Sequence, residues 1–207
     1  MNGHRPLVAI VDDDPSVLSS LARLLEVHGL CARTFSSGER LLAGIDRLAP
    51  DCIVADLSMP GLNGLDLQRR LAGSDTERPI VFITGHGDIR SSVRAMQAGA
   101  VDFLTKPFDQ AELLQAIRHA LGRAQQAREA NERLEHVRRR IASLTLRERQ
   151  VFERVVMGKL NKQIAADLGI SEKTVKVHRA RVMRKMSVKS VAQLARMAEQ
   201  LDGDPSR

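Results

Sequence analysis

The sequence predicts an α/β domain followed by an all-α domain, with a helical linker between them. As far as residue 121, short runs rich in β-branched residues alternate five times with amphipathic stretches, which favours a doubly wound parallel sheet of five βα units. After residue 144 the pattern changes to short helical segments separated by glycine-containing turns. We therefore expect domains at residues 1–121 and 144–207, joined by a linker at residues 122–143.

The five predicted strands are short apolar runs, and a segment of helical periodicity follows each of them. In chain order the strands are LVAIV, CARTF, CIVAD, PIVFIT and VDFLT, and the helices are SVLSSLARLLEVHG, GERLLAGIDRL, GLDLQRRLA, IRSSVRAMQAG and QAELLQAIRHAL. Right-handed crossovers between parallel strands place such helices on both faces of the sheet. All five strands should then end near a common edge.

The linker contains neither proline nor a second glycine and is rich in good helix formers, so it should be mostly helical. Its apolar residues recur at alternating spacings of three and four, a short seam that could pair with another chain or pack on its own domains. The members of this seam are Ala127, Ala130, Leu134, Val137, Ile141 and Leu144. The TLRE sequence at Thr145–Glu148 has the form of a capping box, so a new helix should start there.

Charge is distributed unevenly between the two parts of the chain. Residues 1–121 hold 12 Lys/Arg and 15 Asp/Glu, whereas residues 122–207 hold 20 and 10. A basic C-terminal part is typical of a nucleic-acid binder, although a solvated basic face would look the same.

No apolar run approaches the roughly 18 residues of a membrane span, so we expect no membrane partner and a cytoplasmic location. Cys31 and Cys52 lie in apolar segments without metal-ligand spacing and should be buried, reduced thiols.

Polar side chains follow four of the predicted strands at the point where each strand ends. Asp12 and Asp13 follow the first strand, Asp56 ends the third, Thr84 ends the fourth and Lys106 follows the fifth. Because ligands in open α/β sheets lie beyond the carboxyl ends of the strands, we expect these residues to converge there. Three carboxylates suit Mg²⁺, and a carboxylate beside such a metal can become an aspartyl phosphate.

The motifs VDDD, DLSMPGLNG, TG and KPF occur in an order and spacing that resemble a receiver domain. By this resemblance residues 7–121 have a flavodoxin-like fold, and Asp56 accepts a phosphoryl group from a sensor histidine kinase. The resemblance implies that Mg²⁺ is held by Asp12, Asp13, Asp56 and the backbone carbonyl of Ser58. The residues it implies for phosphate binding and switching are Thr84, Lys106 and Phe103, the last being an aromatic that turns inward on activation.

Several neighbours of this site have simpler interpretations. Asp14 should cap the helix that begins at Pro15 rather than bind metal. Phe103 could be an ordinary core residue. His86 could transfer protons or could be a solvated loop histidine. The Lys106–Pro107 bond could be cis, as is frequent in receivers.

The basic part of the chain has the turn and capping residues that are typical of a helix-turn-helix. Gly169 opens a tight turn, and Ser171 is a good N-cap for the helix that follows. At about 100° per residue, Val175, Val182 and Met186 fall on one side of that helix, which leaves the opposite side exposed. A helix exposed in this way can enter the major groove, with base contacts near its N-terminus and long cations on phosphates.

The stretch LTLRERQVFERVVMGKLNKQIAADLGISEKTVKVHRARVMRKM resembles a LuxR-type domain, a four-helix DNA-binding module covering residues 144–201. Together the two modules resemble FixJ- and StyR-type regulators of the NarL/FixJ family, with ITGHGD and KSVAQLARMAEQ as supporting details. The residues expected to face DNA are Lys173, Thr174, Lys176, Val177, Arg181 and Arg184. Ala180 departs from the lysine that some relatives carry. His178 and Arg179 could pack or contact phosphate, and the last helix, with Val191, Leu194, Ala195 and Ala198, could be a dimer surface or core.

These features predict a transcriptional regulator rather than an enzyme, which dimerises and binds promoter DNA once Asp56 is phosphorylated. An activator of this kind would also contact RNA polymerase. One alternative is a DNA-binding regulator that does not depend on phosphate, but the intact set of acidic, hydroxyl and lysine residues argues against it. Another is a Mg²⁺-dependent phosphatase of the haloacid-dehalogenase type. Such enzymes need an acid two residues after the nucleophile, where this chain has Ser58.

Overall fold

The computed structural model describes residues 5–72, 78–85 and 89–202. The chain divides into two compact units, residues 1–128 and 129–207, and each unit has its own hydrophobic core. In the described ranges, no helix has both the length and the apolar composition that a membrane crossing requires.

The described residues of the first unit form a sheet of five parallel strands. They are β1 (Leu7–Val11), β2 (Cys31–Phe35), β3 (Cys52–Asp56), β4 (Ile80–Thr84) and β5 (Asp102–Thr105). Their order in the sheet is β2-β1-β3-β4-β5. β3 and β4 are buried along their whole length, as expected for central strands with both faces covered. The predicted doubly wound α/β fold is therefore confirmed, and its strand order is that of flavodoxin-like proteins.

Helices cover both faces of this sheet. They are α1 (Pro15–Val27), α2 (Gly38–Leu48), α3 (Gly64–Ala72), α4 (Ile89–Gln97) and α5 (Gln110–Ala142). One core, which includes Ile83 and Ile117, packs the sheet against α1 and α5. The other, which includes Phe82 and Leu67, packs it against α2, α3 and α4. Phe82 and Ile83 are neighbours that enter different cores because side chains alternate between the faces of a strand.

The start of α1 follows the sequence prediction. The Asp14 carboxylate accepts a hydrogen bond of 2.8 Å from the Ser16 backbone N–H, and Pro15 occupies the first helical position. Hydrogen bonds from the Ser16 side chain and backbone lower the pKa of Asp14. The predicted capping role of Asp14 is confirmed.

Both cysteines are free thiols, as predicted, but of the two only Cys52 is buried as expected. Cys31 is half-buried, and Cys52 is fully buried within β3. Burial raises the pKa of the Cys52 thiol to about 12, so this residue stays protonated and unreactive at neutral pH.

As far as residue 202, the second unit contains four helices after the end of α5. They are α6 (Leu146–Val156), α7 (Asn161–Leu168), α8 (Glu172–Lys185) and α9 (Val191–Asp202). Thr145 and Glu148 form the predicted capping box at the start of α6. Gly169 ends α7 with a φ of 63°, the left-handed conformation that glycine adopts at low cost. The predicted four-helix module is confirmed.

The linker is the second half of α5, which continues without a break from Gln110 to Ala142. In the seam, Val137 is buried, and Ile141 and Leu144 pack in the core of the second unit. Ala130 is exposed. The C-terminal half of the seam therefore packs on its own domain. This agrees with the second of the two interpretations, in which the seam does not pair with another chain.

The last helix, α9, also packs its apolar residues against the core of its own unit. Leu194 is fully buried, and Val191 and Ala198 pack against the same core. The apolar stripe of α9 is thus part of the core of the second unit.

Candidate metal centre and nucleic-acid interface

Three carboxylates meet at the carboxyl ends of β1 and β3. Asp12 and Asp13 directly follow β1, and Asp56 is the last residue of β3. Each offers an oxygen that lies within 4.8 Å of those of the other two. Asp12 is fully buried and Asp56 nearly so, whereas Asp13 is exposed. The parallel pairing of β1 with β3 brings these strand ends together, as the sequence predicts.

Lys106 connects two of the carboxylates. Its Nζ donates hydrogen bonds to Asp12 Oδ2 at 2.7 Å and to Asp56 Oδ2 at 3.0 Å. Burial alone would lower the pKa of this lysine, but the hydrogen bonds from its ammonium group to the two carboxylates outweigh burial and raise the pKa. Three carboxylates and one ammonium leave about two negative charges at the site. This donor set and this charge fit a divalent cation that prefers oxygen ligands.

The chain immediately after each strand orients the two buried carboxylates. The backbone N–H of Asp14 donates to Asp12 Oδ1 at 2.9 Å, and that of Ser58 donates to Asp56 Oδ1 at 3.0 Å. Each carboxylate is thus held through one oxygen by its own loop and through the other by Lys106. The side chains are fixed in direction before any ligand arrives.

Two residues that the sequence analysis did not single out support the loop after Asp56. A Cβ atom at Gly64 would lie 2.8 Å from the Asp56 carbonyl oxygen and 2.8 Å from a Phe82 ring carbon. Glu39 of α2 accepts a hydrogen bond of 2.9 Å from the Leu62 backbone N–H. The paired glycines of the PGLNG segment are the signal that could have indicated such a close approach.

Thr84 lies at the end of β4, beside Asp56. The register pairs Asp56 with Ile83, so Thr84 is one residue further along the neighbouring strand. Thr84 is fully buried, and its carbonyl accepts a hydrogen bond of 2.7 Å from the Lys106 backbone N–H. The structure therefore brings Thr84 to the same edge of the sheet as the carboxylates.

Phe103 lies on β5, opposite Phe82 of β4. It is half-buried and packs against the core formed with α2, α3 and α4. On the outer side of β5 it also lines an open cavity of about 500 Å³. The Lys106–Pro107 peptide bond is cis. His86 lies outside the described residues.

The second candidate interface is the exposed face of α8. Val175, Val182 and Met186 are buried, as the sequence predicts, and they fix which side of the helix faces the core. The opposite side of the helix and its two flanks carry a set of exposed residues. They are Lys173, Lys176, Val177, Ala180, Arg181 and Arg184. Four of these six are cations, so this face is suited to contact with nucleic acid.

Other residues of α8 hold the helix in place. Ser171 caps it by accepting a hydrogen bond of 3.1 Å from the Thr174 backbone N–H, and the two hydroxyl oxygens lie 2.9 Å apart. Thr174 is half-buried and takes part in this cap. Arg179 Nη1 donates to Asn161 Oδ1 at 2.9 Å, which holds α7 against α8. This contact favours the packing interpretation of Arg179.

The two modules define a class of protein. Residues 8–118 match the response regulator receiver domain, and residues 142–198 match the luxR family of bacterial regulatory proteins. An acidic site on a receiver sheet joined to a helix-turn-helix module is the plan of a two-component regulator of transcription. The chain belongs to the response-regulator family that combines a receiver domain with a luxR-type DNA-binding domain.

Individual relatives agree with this assignment over nearly the whole chain. The response regulator protein TmoT of Ectopseudomonas mendocina is 46% identical over 201 residues, which are 97% of this chain and 91% of that protein. The transcriptional regulatory protein FixJ of Azorhizobium caulinodans is 47% identical over 192 residues, 92% of this chain and 90% of that protein. The solved structure of the response regulator StyR is 42% identical, with a TM-score of 0.83, over 95% of this chain and 100% of that one. The resemblance to FixJ- and StyR-type regulators is confirmed.

Proposed function

We propose that Asp56 accepts a phosphoryl group from a sensor histidine kinase and that the phosphorylated chain dimerises and binds promoter DNA. The observation that carries this proposal is the contact of Lys106 with Asp56 and Asp12 at the strand ends. In the transfer, a carboxylate oxygen of Asp56 attacks phosphorus and forms a P–O bond. The bond from phosphorus to the kinase histidine nitrogen breaks, and its electron pair returns to the imidazole.

The neighbouring residues hold the charges that develop in this step. The Lys106 ammonium group and the Thr84 hydroxyl bind phosphoryl oxygens. A Mg²⁺ ion would be held by Asp12, Asp13, Asp56 and the Ser58 carbonyl, and it would neutralise negative charge on the phosphoryl group. Ser58 stands where haloacid-dehalogenase-type phosphatases carry a general acid, which supports a regulator rather than an enzyme.

We propose that phosphorylation changes the surface around β4 and β5. Movement of Thr84 toward the phosphoryl group opens space for Phe103 to turn inward, and this alters the surface of α4 and of the first part of α5. Val93 and Met96 of α4 are large apolar residues that are 48% and 46% exposed. Such exposed apolar side chains support self-association of this surface, and with it a homodimer.

The DNA-binding part of the proposal rests on α8. The residues that face DNA are Lys173, Lys176, Val177 and Arg181, with Thr174 at the start of the helix and Arg184 near its end.

The proposed domain organisation has the receiver domain at residues 1–121, the linker at 122–143 and the DNA-binding domain at 144–207. The DNA partner implies a cytoplasmic protein, and an activator would also contact RNA polymerase.

Genome-wide mapping of bound DNA tests the whole proposal. We expect the native chain to occupy a defined set of promoters under conditions that phosphorylate it, and the Asp56→Asn variant to lose most of that occupancy. Equal occupancy by both chains would contradict a role for phosphate in DNA binding.

Asp13→Ala should weaken Mg²⁺ binding while leaving the acceptor in place. The change removes one of the three carboxylates, which lowers both the number of ligands and the negative charge of the site. Titration with Mg²⁺, monitored by calorimetry, measures the change in binding affinity. The matched control is Asp14→Asn, which removes a charge one residue away and keeps a residue able to cap α1. Equal loss in both variants would assign the effect to general charge rather than to ligation.

Lys176→Ala should cost about 1–3 kcal/mol of binding free energy on a cognate site if the side chain reads a base edge. The preference at one base position should relax as well, because a lost base contact removes information at that position. Binding measured on the cognate duplex and on its single-base variants checks this. A loss of the same size on every duplex would show that Lys176 contacts only phosphate.

A further inference from the structure

Two cationic side chains bridge the end of α5 and the end of α8. Each donates a hydrogen bond to a backbone carbonyl at the end of the opposite helix. Arg140, in the last turn of α5, donates from Nη1 to the carbonyl of Met186 at 2.6 Å. Lys185, the last residue of α8, donates from Nζ to the carbonyl of Ser143 at 2.8 Å. We name these two contacts the helix-end clasp. It lies wholly within the second unit.

The clasp satisfies groups that helices leave unpaired. The last carbonyls of a helix have no partner within it and carry a partial negative charge. Met186 is the C-cap of α8, and Ser143 directly follows the last residue of α5. A hydrogen bond from a charged donor to such a carbonyl is stronger than a neutral one. Each cation therefore stabilises the end of the opposite helix.

Buried contacts hold the clasp in one position. Lys185 Nζ also donates to Glu148 Oε2 at 2.6 Å, and the same oxygen accepts from the Thr145 backbone N–H at 2.9 Å. Glu148 is only 3% exposed. Met186, fully buried, and Ile141, half-buried, belong to the same core. The C-terminal end of α8 is thus fixed to the end of α5 by polar contacts and by the core.

We propose that Arg140 is a positioning residue for DNA binding, because it sets the placement of α8 through the Met186 carbonyl. Recognition in a groove requires side chains held within roughly 0.5 Å of their productive positions. A change in the tilt of α8 would displace every side chain on its exposed face. This proposal rests on the proposed DNA-facing surface of α8, and it gives the linker helix a direct contact with the element that reads DNA.

The test compares Arg140→Gln with Arg139→Gln in the full chain. Arg139 is an exposed neighbour in the same helical turn, so its replacement removes the same charge without touching Met186. The probe is a fluorescent duplex selected by the native chain from a random-sequence pool, and binding is measured by anisotropy at several salt concentrations. Circular dichroism establishes a temperature at which each variant is folded. We expect Arg140→Gln to weaken binding about threefold to tenfold, and Arg139→Gln to change it less.

The salt dependence separates positioning from a direct phosphate contact. Loss of a phosphate contact lowers the slope of log affinity against log salt by about one, whereas loss of positioning by Arg140 should leave that slope unchanged. A lowered slope, or affinities equal to those of Arg139→Gln, would overturn the proposal. If Arg140→Gln does not fold, Arg140→Met, which removes the charged donor and keeps an apolar side chain of similar length, is judged by the same two criteria.

Lys176→Ala, measured on the same duplex, separates the positioning role of Arg140 from the proposed DNA-facing surface of α8. If Lys176→Ala weakens binding and Arg140→Gln does not, the positioning role of Arg140 is wrong and the proposed DNA surface stands. If neither change weakens binding, the proposed surface of α8 is wrong as well.

Discussion

Replacement of Asp56 by asparagine should abolish labelling of the chain by a small phosphodonor such as acetyl phosphate. An amide has no anionic oxygen to attack phosphorus, whereas the Asp56 carboxylate is held in position by the Ser58 N–H and by the Lys106 ammonium group. Asparagine is close to aspartate in size, and its single carbonyl oxygen can still accept the hydrogen bond from the Ser58 N–H, although its NH2 group cannot accept the one from Lys106. The fold should therefore be retained while the chemistry is lost.

Labelling with radioactive acetyl phosphate and intact-mass spectrometry measure this effect. Asp14→Asn is the matched control, because it removes a carboxylate from the same edge of the sheet and should label like the native chain. If the Asp56→Asn chain is labelled to the native extent, the phosphoryl group is on another residue and the proposed acceptor is wrong.

Lys185→Met should destabilise the second unit by about 3 kcal/mol, because it removes one partner of an ion pair whose other partner is buried. Glu148 is buried, and Lys185 is the cation that contacts its carboxylate in the described structure. Removal of the ammonium group leaves a buried charge without a counter-ion and also leaves the Ser143 carbonyl without this donor. Calorimetry of the full chain should show the transition of the second unit at a lower temperature. Lys189→Met, an exposed lysine in the following loop, should leave it nearly unchanged.

The same pair should produce a pH dependence of stability. The hydrogen bond from Lys185, followed by that from the Thr145 backbone, lowers the pKa of Glu148 from its ordinary value of 4.5 to about 2. A lowered pKa contributes stability that is complete above the ordinary value and is lost as the pH falls toward about 2. The free energy of unfolding of the second unit, measured in urea on the native chain, should therefore decrease as the pH falls across this interval. The Lys185→Met variant should show a smaller change, and an equal change in both chains would contradict the pairing.

Local patterns were enough to predict the elements of the first unit and the residues at its acidic site. Strands such as CIVAD have sharp apolar boundaries, and the topology of a parallel sheet then brings their carboxyl ends together without further information. The sequence could not predict that α5 would continue unbroken from Gln110 to Ala142, since its apolar positions first face the sheet and then the second unit.

The contacts that sequence patterns did not predict join residues far apart in the chain. Lys185 and Glu148 are separated by 37 positions, and Arg140 and Met186 by 46. Periodicity assigns a side chain to a helix face but does not identify its partner on another helix. The close approach of Gly64 to the Asp56 carbonyl has the same origin, because it depends on how the loop folds back over β3 and not on its composition alone.

Sedimentation of the full chain with Mg²⁺, in the presence and absence of beryllofluoride, tests whether phosphate at Asp56 controls assembly on DNA. Beryllofluoride is a mimic of the phosphoryl group. We predict a monomer without beryllofluoride and a dimer with it, because the altered surface of β4, β5 and α4 then self-associates. A dimer places two α8 helices on half-sites about one DNA turn apart, which strengthens binding and steepens its salt dependence. A chain that stays monomeric with beryllofluoride, or is already fully dimeric without it, would contradict the account.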